Sequence, residues 1–126
     1  MLDFGENFAK SLTFPVVIEL TGDVGVGKTT FTRGLARGLG VNEPVTSPSF
    51  TISKRYVFPN GSLIHYDFYR LSDPGLMAED ILDSISEPNS VVIVEWADSV
   101  SNILPDTRQK ISIKLNDDGT REVKIS

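Results

Sequence analysis

Eight consecutive residues, Gly22-Asp23-Val24-Gly25-Val26-Gly27-Lys28-Thr29, fit the pattern G-x-x-x-x-G-K-[ST] at every fixed position. The chemistry this spacing serves is phosphate binding. Glycines let a backbone wrap closely around phosphate oxygens. A loop between a strand and a helix N-terminus points several N–H groups at one spot. Lys28 is placed to reach the β- and γ-phosphates, and the Thr29 hydroxyl to bind Mg²⁺. Lys28 is expected to be a solvated side chain in the free protein and a charge partner for phosphates once they bind.

Two further groups of residues extend that chemistry. Glu95 ends the apolar run Val91-Val92-Ile93-Val94. A carboxylate just past a buried strand lies where α/β sheets place ligands, and phosphate-loop proteins use one there, usually Asp, to complete the Mg²⁺ site. In His65-Tyr66-Asp67-Phe68-Tyr69-Arg70, strand alternation sends His65, Asp67 and Tyr69 to one side. Asp67 is a candidate for binding a Mg²⁺-bound water or orienting the attacking water. Arg70 is a candidate for touching phosphate or pairing with an acid, and His65 is given a structural or hydrogen-bonding role.

The surrounding pattern supplies elements to position these groups. Val16–Leu20 reads as the strand before the loop and residues 30–39 as the helix after it, with Phe31, Leu35 and Leu39 on one stripe and a stop near Gly40. Asp3 is expected to cap a first helix, with Glu6 three residues on. Phe4, Phe8 and Leu12 share its buried face. From Phe50 to Phe58, alternation puts Phe50, Ile52, Tyr56 and Phe58 on one side, interrupted by Lys54. Pro59-Asn60-Gly61 turns the chain into an antiparallel strand over residues 62–69. Pro74 is expected at the first position of a helix that turns Leu76, Ile81 and Ile85 inward. Residues 90–94 suit a central parallel strand buried on both faces. Ile111, Ile113 and Leu115, then Asp117-Asp118-Gly119, then Val123 and Ile125 read as a C-terminal hairpin.

The chain has 126 residues, which suits one domain over residues 1–126. With no cysteine, disulfides and thiolate metal sites are excluded. No apolar run is long enough to span a bilayer, and the acidic, amphipathic N-terminus is not a secretory signal; a cytoplasmic protein is expected. The net charge of -5 lacks the basic face that direct nucleic-acid binding requires. The Arg33/Arg37 pair is expected on a solvated helix face. No Asn-Lys-x-Asp motif reads guanine, so ATP is the expected nucleotide.

Taken together, Gly22-Asp23-x-Gly25-x-Gly27-Lys28-Thr29-Thr30-Phe31, Ser47-Pro48-Ser49-Phe50, His65-x-Asp67-x-Tyr69-Arg70-Leu71 and Val94-Glu95-Trp96 resemble the bacterial TsaE family. Its members are the ATPase component of tRNA threonylcarbamoyladenosine biosynthesis. The resemblance runs from Asp3 to the final hairpin. It implies an α/β phosphate-loop NTPase fold with a mixed parallel/antiparallel central sheet and flanking helices. It also implies ATP hydrolysis activated by two partners, a TsaD-like transferase and a TsaB-like paralogue, with tRNA reached indirectly through that complex and no membrane role. The carbamoyl transfer belongs to TsaD, and this component resets or regulates the complex. By the same resemblance, Gly25, Val26, Gly27, Lys28, Thr29 and Thr30 cradle ATP, and Thr29 and Glu95 hold Mg²⁺. Ser47 to Ser49 form a γ-phosphate-responsive switch, Asp67 is a catalytic or Mg²⁺-linked acid, and Trp96 lies beside the nucleotide. Ser49 stands where Thr is common in the family and keeps the hydroxyl. Family members usually carry a further segment before the first helix, and a base contact made there has no counterpart in this sequence. Arg121 is a weak candidate for contacting the base.

Two other readings use the same loop. A small-molecule or nucleotide kinase needs an acceptor pocket and usually an arginine-bearing lid, for which 126 residues leave little chain. A non-hydrolysing module would use ATP only to order the Ser47–Ser49 loop.

Overall fold

The computed structural model describes residues 1–23, 25–48, 52–69, 73 and 75–126. Six strands form one sheet: β1 (Val16–Thr21), β2 (Ser53–Phe58), β3 (Gly61–Asp67), β4 (Ser90–Glu95), β5 (Gln109–Leu115) and β6 (Arg121–Ile125), in spatial order β2-β3-β4-β1-β5-β6. The four inner strands, β3, β4, β1 and β5, run parallel, and β2 and β6 pair antiparallel at the two edges. This is the mixed sheet expected of an α/β phosphate-loop NTPase. Every residue of β4 is buried, which explains its unbroken apolar run: a central parallel strand is covered on both faces.

Helices α1 (Leu2–Ala9) and α2 (Lys28–Leu39) cover one face, and α3 (Met77–Ile85) with a 3-10 turn at Ala97–Val100 covers the other. Strand alternation divides the core accordingly. Ile18, Leu20, Leu63, Val91, Ile93, Ile111 and Ile113 pack under α1 and α2; Val17, Ile64, Tyr66, Val92 and Val94 pack under α3. Phe31 of α2 is fully buried, with ring centroids 5.8 Å from both Phe4 and Phe8. Burying such a ring contributes about 1.5–3 kcal/mol. Helix α2 ends at Gly40, whose φ of 97° is the left-handed cap expected of glycine.

Helices α1 and α2 approach closely because glycine lies between them. A Cβ at Gly34 would stand 2.1 Å from the Leu2 carbonyl oxygen, and one at Gly5 2.4 Å from that of Phe31. Periodicity of large residues carries no trace of this contact.

Four local expectations are corrected. Asp3 does not cap α1; Met1 holds that position with no side-chain cap, and Asp3 lies in the first turn, 3.6 Å from Arg37. Helix α3 starts at Met77, after Gly75 at φ 54°, a left-handed conformation that interrupts a helix. Leu76 is therefore 84% exposed instead of inward, whereas Ile81 is fully buried; Pro74 lies outside the described residues. Ile52 precedes β2 at φ 68° and packs with the α3-side cluster, away from Tyr56 and Phe58; Phe50 lies outside the described residues. The hairpin turn is Pro59-Asn60, and Gly61 already belongs to β3, paired with Phe58. Arg33 and Arg37 are exposed as expected, although Arg33 Nε donates to the Val45 carbonyl and Arg37 pairs with Glu6.

Candidate functional site

The glycine-rich loop joins the end of β1 to the start of α2. Gly22, Gly25 and Gly27 have φ values of 148°, 86° and 110°, a region that disfavours any residue with a Cβ. Helix α2 begins at Lys28 with Gly27 as its cap and no side-chain cap bond. The Phe31 N–H already donates to the Gly27 carbonyl. The N–H groups of Lys28, Thr29 and Thr30 are left without an intrahelical acceptor. Such an end attracts anions.

These groups open onto a cavity of about 380 Å³ lined by Gly25, Gly27, Lys28, Thr29, Thr30, Ser47, Asp67, Tyr69, Glu95 and Trp96. The volume falls within the range of small-ligand sites. The loop, the segment after α2 and the ends of β3 and β4 thus meet at the carboxyl ends of the parallel strands, where such sheets place ligands. Ser49, Arg70 and Leu71 lie outside the described residues. Val26 does not line the cavity: its side chain is buried in the core, and its N–H donates to the Asp23 carbonyl at 3.3 Å. Its carbonyl accepts from Arg121 Nε at 2.8 Å, so Arg121 braces the loop from the C-terminal hairpin.

Lys28 is not solvated. It is 8% exposed, and its Nζ donates to the Gly22 carbonyl at 2.7 Å. The same Nζ lies 3.5 Å from Glu95 Oε1 and 4.5 Å from the centre of the Trp96 ring. The buried carboxylate and the aromatic face attract the ammonium into the protein. Glu95 is also buried, and its second oxygen, Oε2, is 2.5 Å from His65 Nε2. Trp96 follows in a left-handed conformation at φ 56°, a strained state for a bulky residue. It turns the indole back over the loop, with its ring centroid 4.9 Å from that of Tyr69.

Asp67 is the register partner of Glu95 on the neighbouring strand. Its N–H donates to the Ile52 carbonyl, while the Ile52 N–H donates to that of Pro48, both at 2.8 Å. Asp67 is thereby tied to Ile52, which is itself bonded to Pro48. Its own Oδ1 accepts the Tyr69 N–H at 2.9 Å. Burial pushes the Asp67 carboxyl above the usual carboxylate range; the Tyr69 hydrogen bond opposes that shift, and the nearby Glu95 charge adds to it.

The residues fit a magnesium–phosphate group. Among the described residues, no three His, Cys, Asp or Glu side chains cluster as a protein metal cage. Mg²⁺ needs none, because it is held by one or two protein oxygens together with phosphates and water. The Thr29 hydroxyl and the Glu95 carboxylate are two such oxygens among the side chains that line this cavity.

Tyr69 lines the cavity, and the only signal for it in the sequence is the two-residue spacing it shares with His65 and Asp67. The Glu95 contacts with Lys28 and His65 had no sequence signal, because they depend on strand register.

Comparison with known proteins gives the family of the chain. The family model described as "Threonylcarbamoyl adenosine biosynthesis protein TsaE" matches residues 1–123. The tRNA threonylcarbamoyladenosine biosynthesis protein TsaE of Bacillus subtilis is 44% identical over 111 residues, covering 87% of this chain and 68% of that protein. The Haemophilus influenzae protein of the same name is 33% identical over 123 residues, covering 94% of this chain and 78% of that one. A crystal structure of Bacillus subtilis YdiB superposes with a TM-score of 0.75 at 37% identity, covering 99% of this chain and 79% of that chain. The chain belongs to the TsaE family of tRNA threonylcarbamoyladenosine biosynthesis proteins.

Proposed function

We propose that this protein is a Mg²⁺-dependent ATPase, acting as a single phosphate-loop domain over residues 1–126. It resets a complex of a TsaD-like transferase and a TsaB-like paralogue between rounds of tRNA modification. The observation that carries the reading is the convergence of Lys28, Thr29, Asp67 and Glu95 on one cavity at the end of the glycine-rich loop.

In this account the free N–H groups of Lys28, Thr29 and Thr30 and the Lys28 ammonium hold the phosphates. Gly25 and Gly27 allow the close approach. Thr29 and Glu95 hold the metal, which neutralises charge on the transferring phosphoryl group. Asp67 orients or deprotonates the attacking water. Its bond to Ile52, which in turn bonds Pro48, supports coupling to the segment containing Ser49, which responds to the γ-phosphate. Trp96 and Tyr69 form an aromatic wall beside the nucleotide.

The net charge of -5 supports leaving tRNA to the partners. Among the described residues no helix is long and apolar enough to cross a membrane, which accords with work in the cytoplasm. The test is phosphate release from ATP, with no other acceptor present, by the chain alone and with both partners. Phosphate release that rises when both partners are added is expected. Transfer that requires an added small-molecule acceptor would identify a kinase and reject the reading.

A further inference from the structure

His65 is fully buried on β3 between Leu63 and Asp67, on the sheet face that otherwise carries aliphatic side chains such as Leu63 and Ile93. Its Nε2 meets Glu95 Oε2, whereas Nδ1 is buried with no hydrogen-bond partner among the described residues. An unpartnered buried nitrogen costs free energy that an aliphatic residue would not. The fold gives no return for that cost except the contact with Glu95.

Glu95 has two oxygens, and the protein engages both. Oε2 faces His65, and Oε1 faces Lys28 at 3.5 Å. A metal approaching Glu95 in this state finds Oε1 opposed by an ammonium. Phosphates at the loop attract the same ammonium, and its departure frees Oε1.

We propose that His65 is a positioning residue that anchors Oε2 of Glu95, so that Oε1 alone is exchanged between Lys28 and the metal. Without this anchor Glu95 follows Lys28 or rotates away, and the oxygen is no longer held toward the cavity that Thr29 also lines. Metal and nucleotide binding are then coupled through one lysine and one carboxylate: each binds more weakly without the other, as linkage requires. The inference rests on the magnesium–nucleotide reading above.

The test uses the full chain, a non-hydrolysable ATP analogue and calorimetry. The quantity measured is the ratio of nucleotide affinities with and without Mg²⁺. Loss of a hydrogen-bonded partner behind a metal ligand costs about 10–100-fold in metal affinity. His65→Leu is therefore expected to reduce the Mg²⁺ enhancement by about tenfold or more, with a smaller change in metal-free nucleotide affinity. His65→Gln, which keeps an N–H donor, is expected to restore most of it. An unchanged enhancement in a folded His65→Leu protein overturns the inference and leaves the ATPase reading standing. A wild-type chain that binds no nucleotide removes both.

A measurement on the wild type guards against a variant that fails to fold. His65 is the only histidine, so ring-labelled protein gives one imidazole signal. The Nε2–H form is expected in the free chain, unmoved by Mg²⁺ alone and shifted when Mg²⁺ joins bound nucleotide. A signal indifferent to Mg²⁺ in the nucleotide complex overturns the inference.

Discussion

Lys28 Nζ and Glu95 Oε1 lie 3.5 Å apart inside the protein, beneath the Trp96 ring. The residue that the sequence marks for a phosphate thus has an internal carboxylate partner in the absence of one. Nucleotide binding must exchange this contact for phosphate oxygens, so effects on stability and on binding are linked at both residues.

Lys28→Met keeps the aliphatic stem but removes the charge. It leaves Glu95 buried with only His65 opposite, and breaking a buried ion pair from one side costs about 3–5 kcal/mol; the cost here should fall at or below the low end, because the pair borders an open cavity. A lowered melting temperature, measured by circular dichroism, and loss of nucleotide binding are expected together. Nucleotide affinity equal to wild type would reject the phosphate-loop assignment.

Glu95→Gln preserves an acceptor for His65 and removes the charge that faces Lys28 and the metal. A higher Mg²⁺ concentration for half-maximal turnover and slower hydrolysis are expected. The same Mg²⁺ dependence as wild type would place Glu95 outside the metal shell.

Trp96 is the only tryptophan, and the Lys28 ammonium stands 4.5 Å from its ring centre. Drawing Lys28 toward phosphate removes a charge from the indole face. Its fluorescence should change on addition of Mg²⁺-ATP and stay at the free value in Lys28→Met. Equal responses in both proteins would assign the signal to something other than this contact.

Asp67 carries a pH dependence with a definite sign. Its folded-state carboxyl is shifted upward, chiefly by burial, so the folded chain holds this proton more tightly than the unfolded chain. The stabilising contribution is full at low pH and is lost as pH rises from the unfolded value through the raised folded one. Asp67→Asn is therefore expected to flatten this part of the stability–pH curve and to melt no lower than wild type at neutral pH. Melting curves from pH 3 to 7, a range chosen to span roughly the ordinary and raised carboxylate values, check this. A variant much less stable at neutral pH would show that the charged form is stabilised by its surroundings.

Much of this molecule was legible because its signals are local. The phosphate loop is a contiguous motif whose glycines, Gly22, Gly25 and Gly27, take positive φ just before a helix. The β4 strand announced itself by unbroken Val91–Val94, and Asn60-Gly61 marked the hairpin within one residue. What stayed hidden depends on distant partners. Asp3 has the composition of a cap, but Met1 holds that position. Leu76 has the spacing of a core residue, but Gly75 delays the helix. The burial of Lys28 follows from Glu95, 67 residues further along the chain and adjacent only through the parallel pairing of β1 with β4.

The most direct test of the central claim counts modified tRNA formed per complex over time, with both partners, saturating ATP and either wild type or Asp67→Asn. Removing a positioned base or water-orienting group typically costs about a hundredfold or more in rate. The account predicts that Asp67→Asn retains ATP binding, loses partner-stimulated hydrolysis and stalls modification after the first few turnovers. Continued multiple-turnover modification with a variant shown to hydrolyse no ATP would contradict the resetting role and leave a module that nucleotide merely orders.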